Sequence, residues 1–499
     1  MLVDVASSPY PTMPQTMPPM IVAHRTVRYP RLRANPVKIW TNDSKTTKKE
    51  NAQNVWARLQ WWAAWLAMCL SGLLEYTWGT VAGSLQAAHH WSLAQTFWAF
   101  SFFVVFESFV QIGTGYLRNR GYLTVRWATI IGGIVCGIVG YGLLATSTNI
   151  WQAYLGYAVL GGIGSGMVYS SCINIVAKWY PEKKGWRIGF VNGGWAYGAV
   201  PFIIVIGGFS GAALNMTPNQ IKNYILVQGI IMTIGIGIAG IFLKDPPKNW
   251  WPKTIDPLNW HKHSTRDLEH NPPSLLHYSL GEMWRTPQAK WIGIQYALFI
   301  GCSLFGVAYY YPFAQEMGLG SVAAVAGFAG FALTDGLARP VYGYISEFIG
   351  RRKTMVYAYS GNVVFQLATY FAGIHHNAPL FVVFAVISGG LSGANFPMTA
   401  ALVADYYGET NNAINYGSIY AFKALGGSFA GGVAALIMTG TLYGTAQFHW
   451  ASGFFFGATI GALAALVIGF LCKPPTVEQM EAAVRGGRKE EARAKPAIA

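Results

Sequence analysis

The sequence predicts an all-α membrane protein of twelve transmembrane helices in two pseudo-symmetric six-helix halves. Three observations carry that prediction. Of 499 residues, 53% are hydrophobic and only 11% charged, against roughly 25% charged in soluble domains. Apolar runs long enough to cross a bilayer recur along the chain. Basic residues gather in alternate connections between those runs. The charge deficit excludes an ordinary soluble enzyme and, more firmly, a disordered chain. Aromatic residues at 15%, with 19 Trp, suit a protein with two wet–dry boundaries to line.

Residues 1–54 contain no apolar stretch that could serve as a signal core. They turn basic after Met20 and read as a disordered cytoplasmic tail, so the first anchor is expected from about Trp61. A six-helix bundle is expected over 55–244, with runs centred near Ser71, Val105, Val135, Val159, Val200 and Met232. A polar cytoplasmic connection follows at 245–286. A second bundle over 287–472 has runs near Ile300, Leu333, Val364, Ala394, Ala424 and Ala462. A cytoplasmic tail, 473–499, ends the chain. Without tails and central connection, about 31 residues remain for each helix and its link, which suits a compact bundle.

The connections fix an orientation. Those after even-numbered spans hold Arg118, Arg120 and Arg126, then Lys178, Lys183, Lys184 and Arg187, then the basic stretch 244–290, then Arg351, Arg352 and Lys353. The link after span ten breaks the trend with Asp405 and Glu409, and Lys222 is the exception on the other side. The positive-inside rule puts both termini and the central connection in the cytoplasm of a cell membrane. The net charge of +15 is then mostly topology and not a nucleic-acid surface. The five cysteines lie in or at the end of apolar runs and read as small buried hydrophobes, with no disulfide framework and no metal-ligand spacing.

The chain repeats. A shift of 228 residues lays Gly115-Tyr116-Leu117 on Gly343-Tyr344-Ile345, Gly161-Gly162 on Gly389-Gly390, Gly189 on Gly417 and Gly198 on Gly426. Such duplications place substrate sites between the halves, near the bilayer midplane. Gly161, Gly162, Gly164 and Gly166 sit mid-membrane with no preceding strand, so close helix contact explains them better than nucleotide binding. The sequence has no GxxxxGKS/T phosphate loop, no HExxH and no Gly-x-Ser-x-Gly elbow. An ATP-driven pump and a membrane hydrolase are thereby disfavoured, and neither enzyme activity nor a cofactor is expected.

Gly343-Tyr-Ile-Ser-Glu347-Phe-Ile-Gly350-Arg351-Arg352 resembles the loop motif of the major facilitator superfamily, with a degenerate first copy at Gly115–Gly121. Residues 161–185 (GGIGSGMVYSSCINIVAKWYPEKKG), Met283–Gln288, the PPKNWWP segment at 246–252 and YGSIYAFKALGG at 416–427 resemble the oxalate:formate antiporter family. The resemblance covers spans one to twelve and neither tail. It implies a major facilitator fold and a carrier in which Arg339 of span eight and Lys423 of span eleven contact substrate carboxylates. The motif residues Gly343, Glu347, Gly350, Arg351 and Arg352 read as a cytoplasmic gate or inter-helix latch.

The residues themselves point the same way. A charge in mid-membrane costs about 2.5–3.5 kcal/mol on insertion scales, so it pairs or meets a ligand. Five such residues stand out: Glu75, Glu107, Asp335, Arg339 and Lys423. Asp335 and Arg339 share a helical face, four residues apart, and Lys423 shares one with Tyr416, Tyr420 and Gly427. The offset maps Asp335 to Glu107, Arg339 to Gln111 and Lys423 to Trp195, so both halves keep an acid and only the second keeps cations. Arg339 offers a carboxylate a planar fork and Lys423 a movable point charge. Two alternatives stay open: the cations grip a substrate, or Arg339 merely pairs with Asp335 and Lys423 with Glu107 or Glu75.

Tyr76, Tyr169, Trp195, Phe396 and Tyr420 are the expected cavity walls, Tyr76 and Tyr169 matching aromatic positions of the family. The family usually has an uncharged residue, often Asn, where Asp335 stands and often Gln where Glu75 stands, and its helices ten and eleven usually carry bulky aromatics where Ser392, Phe396 and Tyr420 stand here. An ionised Asp335 would favour a monocarboxylate, and a protonated Asp335, Glu107 or Glu75 would carry a co-transported proton. The expected function is alternating-access transport of a small mono- or dicarboxylate, by anion antiport or proton symport, in a monomer within the bilayer. The rival is a non-transporting membrane sensor on the same scaffold. His89-His90, His375-His376 and His449 read as solvated loop residues, Pro201 and Pro312 as kinks, and Trp250, Trp251, Trp260 and Trp284 as interfacial anchors.

Overall fold

A computed structural model describes residues 44–180, 184–209, 217–247, 271, 274, 277–408, 411–444, 447–476, 478–479 and 482–483. Expectations for residues 1–43 and most of 477–499, for most of the central connection with Trp250, Trp251 and Trp260, and for Lys183 and Glu409 fall outside the described residues; residues 44–54, expected as part of a disordered tail, are helical and continuous with the first span. The chain is built from helices, with no strand among the described residues. Span one is three helices end to end, Ser44–Ser71, Leu73–Tyr76 and Trp78–His89. Spans two to six are Leu93–Arg118, Val125–Ala145, Ile150–Trp179, Trp186–Gly207 and Pro218–Phe242. Spans seven and eight are Pro287–Glu316 and Ser321–Ile349, and spans ten to twelve are Ala378–Tyr407, Asn412–Met438 and Trp450–Leu471. Span nine is Arg351–Ile374.

The chemistry of the sequence explains the ends. Ser92 and Thr217, each with Gln three residues on, form reciprocal capping boxes at the starts of spans two and six. Gly350 takes φ 90° between spans eight and nine, a conformation an L side chain resists. Ten of the twelve spans are apolar enough to cross a membrane by composition alone. Span nine is diluted by Arg351, Arg352, Lys353, Asn362 and Gln366, and span one by Trp side chains and Glu75. These two spans take their place from the fold, not from hydropathy.

Spans two and eight start 228 residues apart, and so do spans four and ten, so the glycine offset holds in three dimensions. Span eight packs on span five, and span two on span eleven, joining the two halves crosswise. Gly193 and Gly336 meet across the first of these contacts, and a Cβ on either would collide with the other's carbonyl oxygen. Gly72 likewise lets span one press on the backbone of Trp195.

Four spans are broken near mid-membrane. Span one breaks at Gly72 and Thr77, span five at Gly198-Ala199 just before Pro201, span ten at Gly393-Ala394 and span eleven at Ala421-Phe422. Pro312 lies inside the continuous helix of span seven. Helix breaks at this depth free backbone and side chains to build a site.

The glycine crossing between the halves is testable. Gly336→Ala should destabilise the protein by about 1–3 kcal/mol through overpacking, read as a lower melting temperature in detergent. Gly237→Ala, where a Cβ meets nothing within 4 Å, should leave it unchanged.

Candidate functional site

All five mid-membrane charges converge in one buried cluster, each with 0% of its surface exposed. The breaks place them. The single turn Leu73–Tyr76 aims two consecutive residues of span one at two different partners. Glu75 Oε2 lies 2.8 Å from Lys423 Nζ. Tyr76 donates its hydroxyl proton to Asp335 Oδ2 and accepts from Arg339 Nη2 at 3.2 Å. Lys423 opens the helix that follows the break in span eleven, and Phe396 sits just past the break in span ten.

Two ion groups result. In the first, Lys423 Nζ bridges Glu75 and Glu107, the latter at 3.2 Å. Glu107 is held from four sides: by Lys423, by the Tyr420 hydroxyl at 3.1 Å, by Gln111 Nε2 at 2.8 Å and by Ser108 at 3.3 Å. In the second, Arg339 Nη2 reaches Asp335 Oδ2 at 3.2 Å, while Nη1 donates to the Asn192 carbonyl at 2.9 Å and to its side-chain oxygen. The Asn192 amide then donates to the Tyr169 hydroxyl at 3.1 Å.

The Phe396 ring joins the two groups. The Arg339 guanidinium lies 4.3 Å from its centroid and Lys423 Nζ 6.0 Å, so the separation of the cations cannot exceed the sum of these. Lys423 also faces Trp195 at 5.4 Å and Tyr420 at 5.6 Å. Tyr169 packs edge-on against Trp195 and beside Tyr420. Every wall residue expected from the sequence therefore borders the cluster. Gln111 was visible only as the offset mate of Arg339. Asn192 and Tyr296, the latter packed against Phe396 and Tyr420, are additions. Asn192 had a signal, being the offset mate of Tyr420, but an uncharged Asn does not stand out in a search for charges.

The ion pairs are those of the pairing alternative, yet they leave capacity unused. Glu75 Oε1, Asp335 Oδ1, Arg339 Nε and Trp195 Nε1 are buried without a hydrogen-bond partner among the described residues. Three carboxylates also face only two cations. Such a cluster can exchange one of its own carboxylates for a foreign one, or take up a proton.

The motif at the end of span eight makes a separate set of contacts. Arg351 Nε lies 3.5 Å from Asp405 Oδ2 and its Nη1 donates to the Gly343 carbonyl at 3.1 Å. Arg352 binds the carbonyls of Ile468 and Gly469 in span twelve. Glu347, the acid in the motif, lends its backbone carbonyl to Asn271 and forms no ion pair among the described residues. The Arg351 side chain folds back over Gly343 and reaches Asp405 of span ten. That residue is the same one that broke the basic trend of the connections.

A crosswise bundle of long apolar helices around a buried, ion-paired centre is the architecture of a multi-pass membrane protein. Residues 64–330 and 325–497 match the Major Facilitator Superfamily, and the chain belongs to it. It is 27% identical to the oxalate:formate antiporter of Oxalobacter formigenes over 82% of this chain and 91% of that one. It is 26% identical to the uncharacterized MFS-type transporter YhjX of Escherichia coli K12 over 69% and 79%. The fold matches the inward-open xylose transporter XylE of E. coli with a TM-score of 0.60, at 14% identity over 85% of this chain and 98% of that chain. It matches the nucleoside transporter NupG at 0.61, with 11% identity over 83% and 98%. The protein is a multi-pass membrane transporter of a small molecule.

Asn192 carries a prediction. Asn192→Leu strands one arm of a buried guanidinium, and should destabilise the protein by about 1–3 kcal/mol. The check is thermal unfolding in detergent, with the exposed Asn219→Leu as a control that should not shift.

Proposed function

We propose that this transporter carries a small carboxylate, held between Arg339 and Lys423 and walled by Tyr76, Tyr169, Trp195, Phe396 and Tyr420. The observation that carries the reading is the convergence of two buried cations, from separate spans, on one aromatic ring. Arg339 supplies directed donors and Lys423 a mobile charge. In the empty carrier Asp335 and Glu75 hold those places. An arriving carboxylate substitutes for one of them, so neither cation is ever left unpaired in lipid.

Charge balance speaks for proton coupling. Three acids and two cations already leave one negative charge, and a carboxylate substrate adds another. A proton on an acid offsets that addition. Glu107, bonded on four sides, is the fixed counter-charge. Glu75 and Asp335, each with an unpartnered oxygen, are placed to take the proton. Exchange of one anion for another is the second reading, favoured by the similarity to the oxalate:formate antiporter of Oxalobacter formigenes. The excess acid disfavours a doubly charged substrate and points to a monocarboxylate. Both termini and the Arg351 latch face the cytoplasm of a cell membrane, as the basic connections indicate. The carrier acts as a monomer by alternating access between its halves.

Arg339→Gln or Lys423→Gln should lower uptake into proteoliposomes about 100-fold, the equivalent of roughly 3 kcal/mol for a buried charge that loses its partner. Membrane insertion should be unchanged. Full transport by either variant contradicts the assignment. A panel of labelled mono- and dicarboxylates, with and without an imposed pH gradient, should show gradient-driven accumulation of a monocarboxylate. Flux that requires preloaded internal anion would favour exchange instead.

A further inference from the structure

A second set of buried polar side chains lies inside the C-terminal half, between spans seven, nine and ten, and the site above does not use it. Tyr359 donates to Gln295 Oε1 at 2.9 Å and bonds Asn395 Oδ1, which Thr399 also reaches at 2.9 Å. One turn along span nine, Asn362 Nδ2 donates to the Ser388 carbonyl at 2.8 Å and to Ser392 Oγ at 3.1 Å. The Cys302 thiol faces Asn362 Oδ1 at 3.2 Å and Gln366 Oε1 at 3.0 Å. Tyr310 continues the set through Ser388 Oγ at 3.0 Å. All are buried. From Gln295 to Tyr310 the helix rises about 22 Å, most of the ~30 Å hydrocarbon thickness.

Two features separate this set from ordinary packing. First, it is incompletely bonded. The amide nitrogens of Gln295, Gln366 and Asn395 have no partner among the described residues, and one thiol proton cannot serve two acceptors. Buried groups in this condition are ordinarily satisfied by ordered water. Gln366 Nε2 lies against Gly457 of span twelve, where any side chain would collide with it. Second, the other half does not repeat it. At the 228 offset, Gln295, Tyr359, Asn362, Gln366, Ser388 and Asn395 are matched by Ala67, Ile131, Ile134, Ile138, Leu160 and Met167. The N-terminal half carries no polar side chain at these positions, and three of the mates, Ile131, Ile134 and Ile138, are exposed on its outer surface.

The set meets the site midway. Span ten breaks at Gly393-Ala394, between Ser392 and Asn395, and a Cβ on Gly393 would lie 2.9 Å from Asp335 Oδ1. That is the Asp335 oxygen without a partner. We propose that spans seven, nine and ten enclose a file of ordered water that carries the coupling proton to and from Asp335, apart from the substrate's path. The proposal rests on the proton coupling read above. A water gives a proton to Asp335 Oδ1 and takes one from the next water, so the file ends as it began and the proton comes from bulk. The remaining faces of Asp335 are closed to the file. Tyr76 and Glu75 stand on the span-one side, Arg339 with Asn192 on the span-five side, and span ten presents Gly393 and the Phe396 ring. The file starts at the Arg351 end, where Tyr359 lies two turns inside span nine.

The test uses the full chain in proteoliposomes. A millisecond hydroxyl-radical pulse should oxidise Cys302, inside the file, at least ten times faster than the equally buried Cys136. Equal rates overturn the proposal without any substitution. Asn362→Leu with Gln366→Leu should keep labelled-anion exchange within twofold of the unaltered protein, while accumulation driven by a pH gradient falls at least tenfold. Asn362→Ser, which keeps a hydroxyl for water, should restore it. Equal loss of exchange and gradient-driven uptake would make the set packing only and overturn the proposal. If the unaltered protein shows exchange but no gradient-driven uptake, the proton-coupling reading itself fails and the file's role falls with it.

Discussion

A charge inside lipid must be answered by another charge or by a ligand, and this constraint organises the centre of the protein. Arg339 and Lys423 are fully buried, and so are Glu75, Glu107 and Asp335. Two cations without those acids would not be stable at this depth. The acids in turn require the breaks in spans one, ten and eleven, which bring residues from four different spans to one place. The glycines at positions 72, 193 and 336 let the helix backbones approach closely enough for the contacts to form.

The duplication gives this centre its logic. Each half contributes an acid with a polar residue four later on the same helix: Glu107 with Gln111, and Asp335 with Arg339. Each acid-bearing helix packs across to the other half, span two on span eleven and span eight on span five. The Lys423 position answers Glu107 directly, while its mate Trp195 supplies an aromatic wall. Both cations therefore come from the second half, while both halves supply aromatic walls. The single turn at Glu75-Tyr76 ties the two ion groups together, so a change in one is felt by the other.

Much of the fold was legible because membrane burial leaves strong marks: long apolar runs, basic connections and the 228-residue offset. The five charges were legible for the same reason, since each is costly unless used. The pairs Arg339 with Asp335 and Lys423 with Glu107 or Glu75 were legible as one of two alternatives; that Lys423 bridges both acids was not, because the breaks in spans one and eleven turn Glu75 and Lys423 in ways helical spacing does not encode. Asn192 was passed over because its value lies in two acceptors pointed at one guanidinium, a matter of geometry and not of composition. The partner of Arg351 was not legible for a related reason. The motif puts Glu347 one turn from Arg351, but the Arg351 side chain folds across to Asp405 on another span.

Transport requires that this cluster be able to rearrange. The ion pairs are close, yet four buried atoms around them lack partners among the described residues, which on the proposed reading lets a carboxylate be traded without exposing a bare charge. The most direct test is a density map of the carrier with a bound monocarboxylate. The account predicts substrate oxygens within hydrogen-bond distance of the Arg339 guanidinium and Lys423 Nζ, with Asp335 or Glu75 displaced from its cation. Substrate density elsewhere, with both ion groups intact, would contradict it.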